Sequence, residues 1–510
     1  MFGPRRSCLV RGMKRHLSRR FFLGGAAVSA LGGPALAFAP EQSLRPVARG
    51  DDLLALSLGG VDQLVAGYNL TGTVGLSVAD VRTGLELETL NPSTGLPPAS
   101  VTKSLTALYA LNALGPDYRF QTRLLARGKV ADGVLQGDLV LQGGGDPTLD
   151  TDALATLAAN LKAGGIREVR GDFVVDEGFL PYVPTIDPEQ LVHVGYSPAV
   201  SGIALNYNRV HFEWRRGGSG YTVTMDARTD RYRPDVAIAR MRVADRSVPV
   251  YTYADRDGID DWTVARGALG NGGARWLPVR RPGAYVGDVF RTLARAQGIV
   301  LKPVVVSKGV TGQTTELVRF ESEPLTEILR DMLKWSTNLT AEMVGLTATV
   351  ARGWQPATLA DSAARMSAWA RQELGMTEAA LVDHSGLGVD SRMSARDLTT
   401  ALVRVRQEGI LRPLLKRIAM RDSQGRTVGN HPIRVDAKTG TLFFVSALAG
   451  FMTAQDGTEL AFAILTADTD RRAKAIAAGD ERPPGARGWN GTSKRMQQAL
   501  IDRWGLLYGS

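Results

Sequence analysis

Leu105, Leu108, Leu111 and Leu114 recur at the spacing of one helical face, behind Pro97-Pro98-Ala99 and ahead of Gly115-Pro116. This pattern predicts a helix over 100–114 that begins at Ser100, because the prolines stop any element before it and Gly-Pro closes it. Near the carboxyl terminus the apolar period shortens. Residues 433–442 read as extended, and 445–453, the turn Asp456-Gly457 and 459–466 read as a hairpin. Residues 325–350 read as helical but are interrupted by Ser336-Thr337-Asn338. Three polar residues of poor helix propensity in a row predict a break between two helices. At the other end, 51–68 reads as a helix, 71–81 and 85–90 as a hairpin around Arg82-Thr83-Gly84, and a last helix is predicted near 493–504.

Between these flanks the pattern turns to short alternating strands, at 135–142, 168–175, 210–214, 221–225 and 248–253, with one helix near 152–161. The chain is therefore expected to be an α/β (α+β) protein. One domain is expected to be a sandwich of helices against an antiparallel sheet, assembled from 40–120 and 311–510, with 121–310 as an inserted, strand-rich part. The last helix has no strongly basic face, so packing on the sheet is expected rather than lying on a membrane.

The first residues are a different object. Arg5, Arg6, Arg11, Lys14, Arg15, Arg19 and Arg20 precede an uncharged run over 21–39 that ends in Ala35-Leu36-Ala37 and Ala37-Phe38-Ala39. This is the form of an export signal over 1–37. Ser18-Arg19-Arg20-Phe21-Phe22-Leu23 is of the twin-arginine type, which implies a periplasmic or extracytoplasmic protein with no stable transmembrane segment after leader removal. Losing 1–37 removes seven basic groups and no acidic ones, so the formal charge falls from +10 to +3. A nucleic-acid role suggested by the pI of about 9.7 then has no basis. Cys8, the only cysteine, lies in the leader, which excludes disulfides and thiolate metal sites from the mature chain. His193, His211, His384 and His431 show no metal-binding spacing, and neither G-x-S-x-G nor a phosphate loop is present. No metal and no cofactor is expected.

What chemistry remains sits in three short elements. Ser100-Val101-Thr102-Lys103 places a hydroxyl and an amine three residues apart on a helix, hence on one face and within hydrogen-bond reach, as a nucleophile and its base require. Lys438-Thr439-Gly440-Thr441 lies on the predicted strand, where a lysine and a threonine can flank a substrate carboxylate and the glycine lets another backbone approach. Each element alone is a weak signal. An isolated Ser-x-x-Lys is usually an N-cap and a solvated lysine, an exposed lysine often guards an edge strand, and Ser336-Thr337-Asn338 alone is a helix cap followed by a surface helix that carries Glu342.

In this order, the three elements resemble those of penicillin-binding proteins and serine beta-lactamases. The step of 233 positions from Lys103 to Ser336 narrows the resemblance to the D-alanyl-D-alanine carboxypeptidase/endopeptidase family of the DacB type (penicillin-binding protein 4 family, peptidase family S13), in which a large insertion separates those elements. Gly145-Asp146-Pro147-Thr148-Leu149, Ala204-Leu205-Asn206-Tyr207-Asn208 and Asp383-His384-Ser385-Gly386-Leu387 also look like the family's, with His384 and Gly388 replacing the commoner glycine and serine. The resemblance implies a beta-lactamase/transpeptidase-like fold. It makes Ser100 the acylated nucleophile, Lys103 its proton acceptor, and Ser336 and Lys438 the relay to the leaving group. Asn338 would donate to the substrate amide, Thr439 and Lys438 would hold the terminal carboxylate, and the N–H groups of Ser100 and Thr441 would form the oxyanion hole. The implied partners are peptidoglycan stem peptides, with beta-lactam antibiotics as acylating inhibitors. A beta-lactamase or esterase of the same superfamily and a catalytically silent cell-wall binding protein are the rival functions.

Overall fold

Along the strand Glu459–Ala467, Leu460, Phe462 and Ile464 alternate with Ala461, Ala463 and Leu465, and both sets are buried. A strand covered on both faces belongs at the centre of a layered unit. In the computed structural model, which describes residues 57–509 apart from residue 423, this strand lies inside a six-stranded antiparallel sheet. The order is Lys416–Ile418, Arg434–Leu442, Val445–Thr453, Glu459–Ala467, Thr73–Asp80, Glu86–Leu90. Thr73–Asp80 pairs with Glu459–Ala467, so the two ends of the described chain build one sheet. The expected leader over 1–37, its twin-arginine signature, Cys8 and the start of the helix expected over 51–68 lie outside the described residues.

The two faces differ in side-chain size. Leu76, Val78, Leu460, Phe462 and Ile464 pack with Met496, Leu500, Ile501 and Trp504 of the last helix, Ala486–Tyr508, which lies on the sheet as expected. Ala447, Ala449, Ala461 and Ala463 face the other way, towards a bundle around Thr102–Leu114. Alanines on that face let the helices come close to the sheet. The Thr102–Leu114 helix has every residue from Thr102 to Leu111 buried, so it runs through the core rather than burying the single leucine face seen in the pattern. The helices Leu325–Trp335, Asn338–Ala351 and Leu359–Leu374 surround it.

Several expectations need correction. The helix expected over 51–68 is interrupted: residues 57 and 58 are helical, Gly59 (φ +67°) and Gly60 break the run, and Val61–Ala66 follows. The strand expected over 168–175 divides into Glu168–Val169 and Phe173–Asp176 around Gly171. The part read as strand-rich also contains the helix Pro282–Ala296, which packs with Thr151–Ala163 and with the strands Phe173–Asp176 and Val304–Ser307. Finally, Thr315–Glu321, which the pattern places with 311–510 in the sandwich domain, pairs with Gln121–Ala131 in the second six-stranded sheet. Two three-stranded sheets complete this region.

Candidate active site

Ser100 is half-buried in the single 3₁₀ turn Ala99–Val101, just before the buried helix starts at Thr102. Ala99 is held at φ 46°, a left-handed conformation that costs a non-glycine residue and clusters at functional sites. The Thr102 hydroxyl donates to the Ala99 carbonyl at 2.9 Å and steadies the turn. One turn on, the wholly buried Lys103 Nζ donates to Ser100 Oγ at 2.9 Å, Asn338 Oδ1 at 2.7 Å and the Ser385 carbonyl at 2.7 Å. All three ammonium protons are thereby used. Burial pulls this lysine down to about 8, against the opposing charges of Asp383 and Glu342. A fraction of about one tenth is then a free amine at neutral pH, able to accept a proton from Ser100.

The expected break between two helices is present. Ser336 ends Leu325–Trp335 at φ 61°, and Asn338 opens Asn338–Ala351. This left-handed corner turns the Ser336 hydroxyl to Lys438, whose Nζ donates to Ser336 Oγ at 3.0 Å and to the Thr439 carbonyl at 2.8 Å. Lys438 is buried on the strand Arg434–Leu442 and is lowered to about 6, first by burial and then by the nearby charges of Lys103 and Lys416. It is thus mainly uncharged at neutral pH, and an anion placed beside it would draw a proton onto it.

Gly440 explains how the strand reaches Ser100. A Cβ there would come within 2.8 Å of the Pro98 carbonyl and 3.1 Å of the Ser100 nitrogen, so only glycine lets the strand lie over the turn. Thr439 and Thr441 are exposed on the same strand. The sequence-derived residues therefore meet as two linked pairs, Ser100–Lys103 joined to Asn338 and Lys438 joined to Ser336, with Gly440 between strand and turn. Thr441 is beside them in sequence but shares no side-chain bond with them in the described contacts. From the inserted region, the Tyr196 carbonyl accepts from Asn338 Nδ2 at 2.9 Å.

Pattern did not single out Glu342, which a surface helix would expose. It is wholly buried, and its two oxygens accept from the backbone N–H groups of His384 and Ser385, each at 2.9 Å. Asp383 is also buried and accepts from Gly386 N at 3.0 Å, Gly388 N at 2.8 Å and Ser391 Oγ at 3.1 Å. Burial pushes both carboxyls above the usual range, against these donors and Lys103. His384 is structural: its ring fills the space beside Gly345, where a Cβ would lie 2.2 Å away, and Nε2 meets Ser362 Oγ at 2.7 Å. Burial lowers it to about 3, so it is neutral. The only advance signal for this loop was the resemblance of 383–387, which said nothing of these contacts.

Residues 58–482 match the family described as "D-Ala-D-Ala carboxypeptidase 3 (S13) family". A D-alanyl-D-alanine carboxypeptidase from Actinomadura sp. (strain R39) is 28% identical over 474 residues, spanning 84% of this chain and 86% of that protein. D-alanyl-D-alanine carboxypeptidase DacB from Haemophilus influenzae is 25% identical over 409 residues, 76% of this chain and 84% of its own. The fold is that of the crystal structure of penicillin binding protein 4 (dacB) from Haemophilus influenzae, with a TM-score of 0.70 at 22% identity, covering 86% of this chain and 99% of that one.

Proposed function

The chain belongs to the D-Ala-D-Ala carboxypeptidase 3 (S13) family and is a serine-type D-Ala-D-Ala carboxypeptidase, and we propose that it works through an acyl-enzyme on Ser100. The observation that supports this best is the Lys103 amine, held in one geometry between Ser100 Oγ and Asn338 Oδ1. In the proposed reaction Ser100 Oγ attacks the carbonyl of the penultimate D-alanine while Lys103 takes the hydroxyl proton. The C–N bond to the last D-alanine breaks, and the leaving amine gains a proton through Ser336 and Lys438. Water then cleaves the ester and regenerates Ser100. The N–H groups of Ser100 and Thr441 serve the developing oxyanion, Asn338 the substrate amide, and Thr439 with Lys438 the terminal carboxylate.

Peptidoglycan stem peptides are the proposed substrates, and the same step cuts a D-alanyl cross-link when the leaving amine belongs to a neighbouring peptide. Beta-lactams acylate the same serine. In an assay with a peptide ending in D-Ala-D-Ala, D-alanine should be released, and penicillin should leave a long-lived adduct. Rapid penicillin turnover without D-alanine release would favour a beta-lactamase instead, and neither reaction would favour a silent binding protein.

Lys438→Ala should lower kcat/KM on that peptide about ten- to a hundredfold, since a charge-assisted hydrogen bond is worth roughly 1.5–3 kcal/mol. The same peptide amidated at its carboxyl terminus should suffer much less. Equal losses on both would reject carboxylate recognition as its main role and favour proton relay or structural support, and no loss on either would remove Lys438 from the site. The substrate lies outside the cytoplasmic membrane, which accords with a twin-arginine leader: Arg19→Lys with Arg20→Lys should leave the protein inside the cell, and unchanged export by fractionation would reject that route.

A further inference from the structure

Asn338 and Glu342 are four residues apart on one helix, so both side chains leave the same face, one above the other. Asn338 meets Lys103 directly. Glu342 reaches it through the 383–388 loop, because the N–H of Ser385 bonds Glu342 Oε1 and the Ser385 carbonyl receives Lys103 Nζ at 2.7 Å. The loop is fixed on its other side too. Thr106 Oγ1 donates to the His384 carbonyl at 2.6 Å, and Gly386, at φ +75°, packs so closely that a Cβ would lie 1.8 Å from the Ala99 carbonyl.

On the proposed function, we propose that Glu342 is a positioning residue for acylation: it clamps the 384–385 backbone so that the Ser385 carbonyl is aimed at Lys103 Nζ, and it supplies negative charge beneath that ammonium. Both Glu342 oxygens accept from N–H donors, an arrangement that, with the Lys103 charge, favours the carboxylate against the burial and the Asp383 charge that push it up. The groups facing Lys103 are Ser100 on its own turn, Asn338 and Glu342 on the neighbouring helix, Ser385 with Asp383 on the loop, and the Lys438 amine from the strand. Neutralising Glu342 leaves the burial of Lys103 less opposed. The lysine then gives up its proton at lower pH, and the acid limb of the acylation rate moves down.

The test is the pH profile of acylation of Ser100 by penicillin, with thermal unfolding followed in parallel. Glu342→Gln should move the acid limb down by about one pH unit and lower the plateau about tenfold or more. Glu342→Asp keeps the charge but falls short of the loop. Its limb should stay with wild type while its plateau falls about fivefold. A Glu342→Gln protein that unfolds at lower temperature but keeps the wild-type limb would make Glu342 merely structural and overturn the proposal. An Asp variant with the wild-type plateau would overturn the aiming role even if the Gln variant does not fold. Wild type without penicillin on Ser100 would bring down the proposed function and this inference together, whereas labelled wild type with an unmoved limb in Glu342→Gln would bring down this inference alone.

Discussion

Ser100→Ala should fold as the wild type does and release D-alanine from a D-Ala-D-Ala peptide slower by about 10⁴-fold or more, the scale of loss when a catalytic nucleophile is removed. The side chain is half-buried and its hydroxyl's bond is to Lys103, so little packing is lost with one oxygen. Lys103 keeps Asn338 Oδ1 and the Ser385 carbonyl as partners and does not become an unpaired buried cation. Circular dichroism and melting temperature near wild type, with initial rates at background, are the expected result. A variant that retains a tenth of the rate would place the nucleophile elsewhere.

Gly386→Ala should inactivate by a different route. The residue sits at φ +75°, where a Cβ is strained whatever the space, and there the Cβ would lie 1.8 Å from the Ala99 carbonyl, 2.5 Å from its carbon and 2.6 Å from Thr102 Oγ1. The two nearest of these are backbone atoms, and the third is the Thr102 hydroxyl, which is held by its bond to the Ala99 carbonyl. Either the loop or the nucleophile turn must move, at a cost of roughly 3 kcal/mol or more. Both movements separate the Ser385 carbonyl from Lys103. The expected outcome is a lower melting temperature together with acylation by penicillin slowed about a hundredfold. Wild-type acylation in this variant would show that the loop tolerates displacement and is not part of the site's support.

The two predictions draw on different kinds of information. Ser100, Lys103 and Ser336 could be located in the sequence because they lie at or beside element boundaries that local pattern marks, a proline stop and a polar run inside a helix, and Lys438 because it lies on an extended segment that carries a glycine two residues on. Glu342 could not. Four residues after Asn338 on a helix, a glutamate looks like a solvated side chain, and only its contact with residues 42 and 43 positions onward turns it inward. The return of Thr315–Glu321 to Gln121–Ala131 is likewise a pairing between distant segments, which alternation along one strand does not specify. The helix Pro282–Ala296 is a different matter. Proline at its first turn and Tyr285, Val286, Val289, Phe290 and Leu293 along one face are local signals, and they were outweighed by the strands around them.

The most direct measurement of the account is the site of penicillin attachment. The protein is treated with penicillin, digested, and its peptides are weighed and sequenced by mass spectrometry. One added acyl group is expected on the peptide that contains Ser100, with the full mass of the antibiotic retained because addition opens the lactam ring without a leaving group, and no such peptide is expected from Ser100→Ala. A stable adduct on another serine, or unmodified Ser100 in protein that still releases D-alanine, would contradict it.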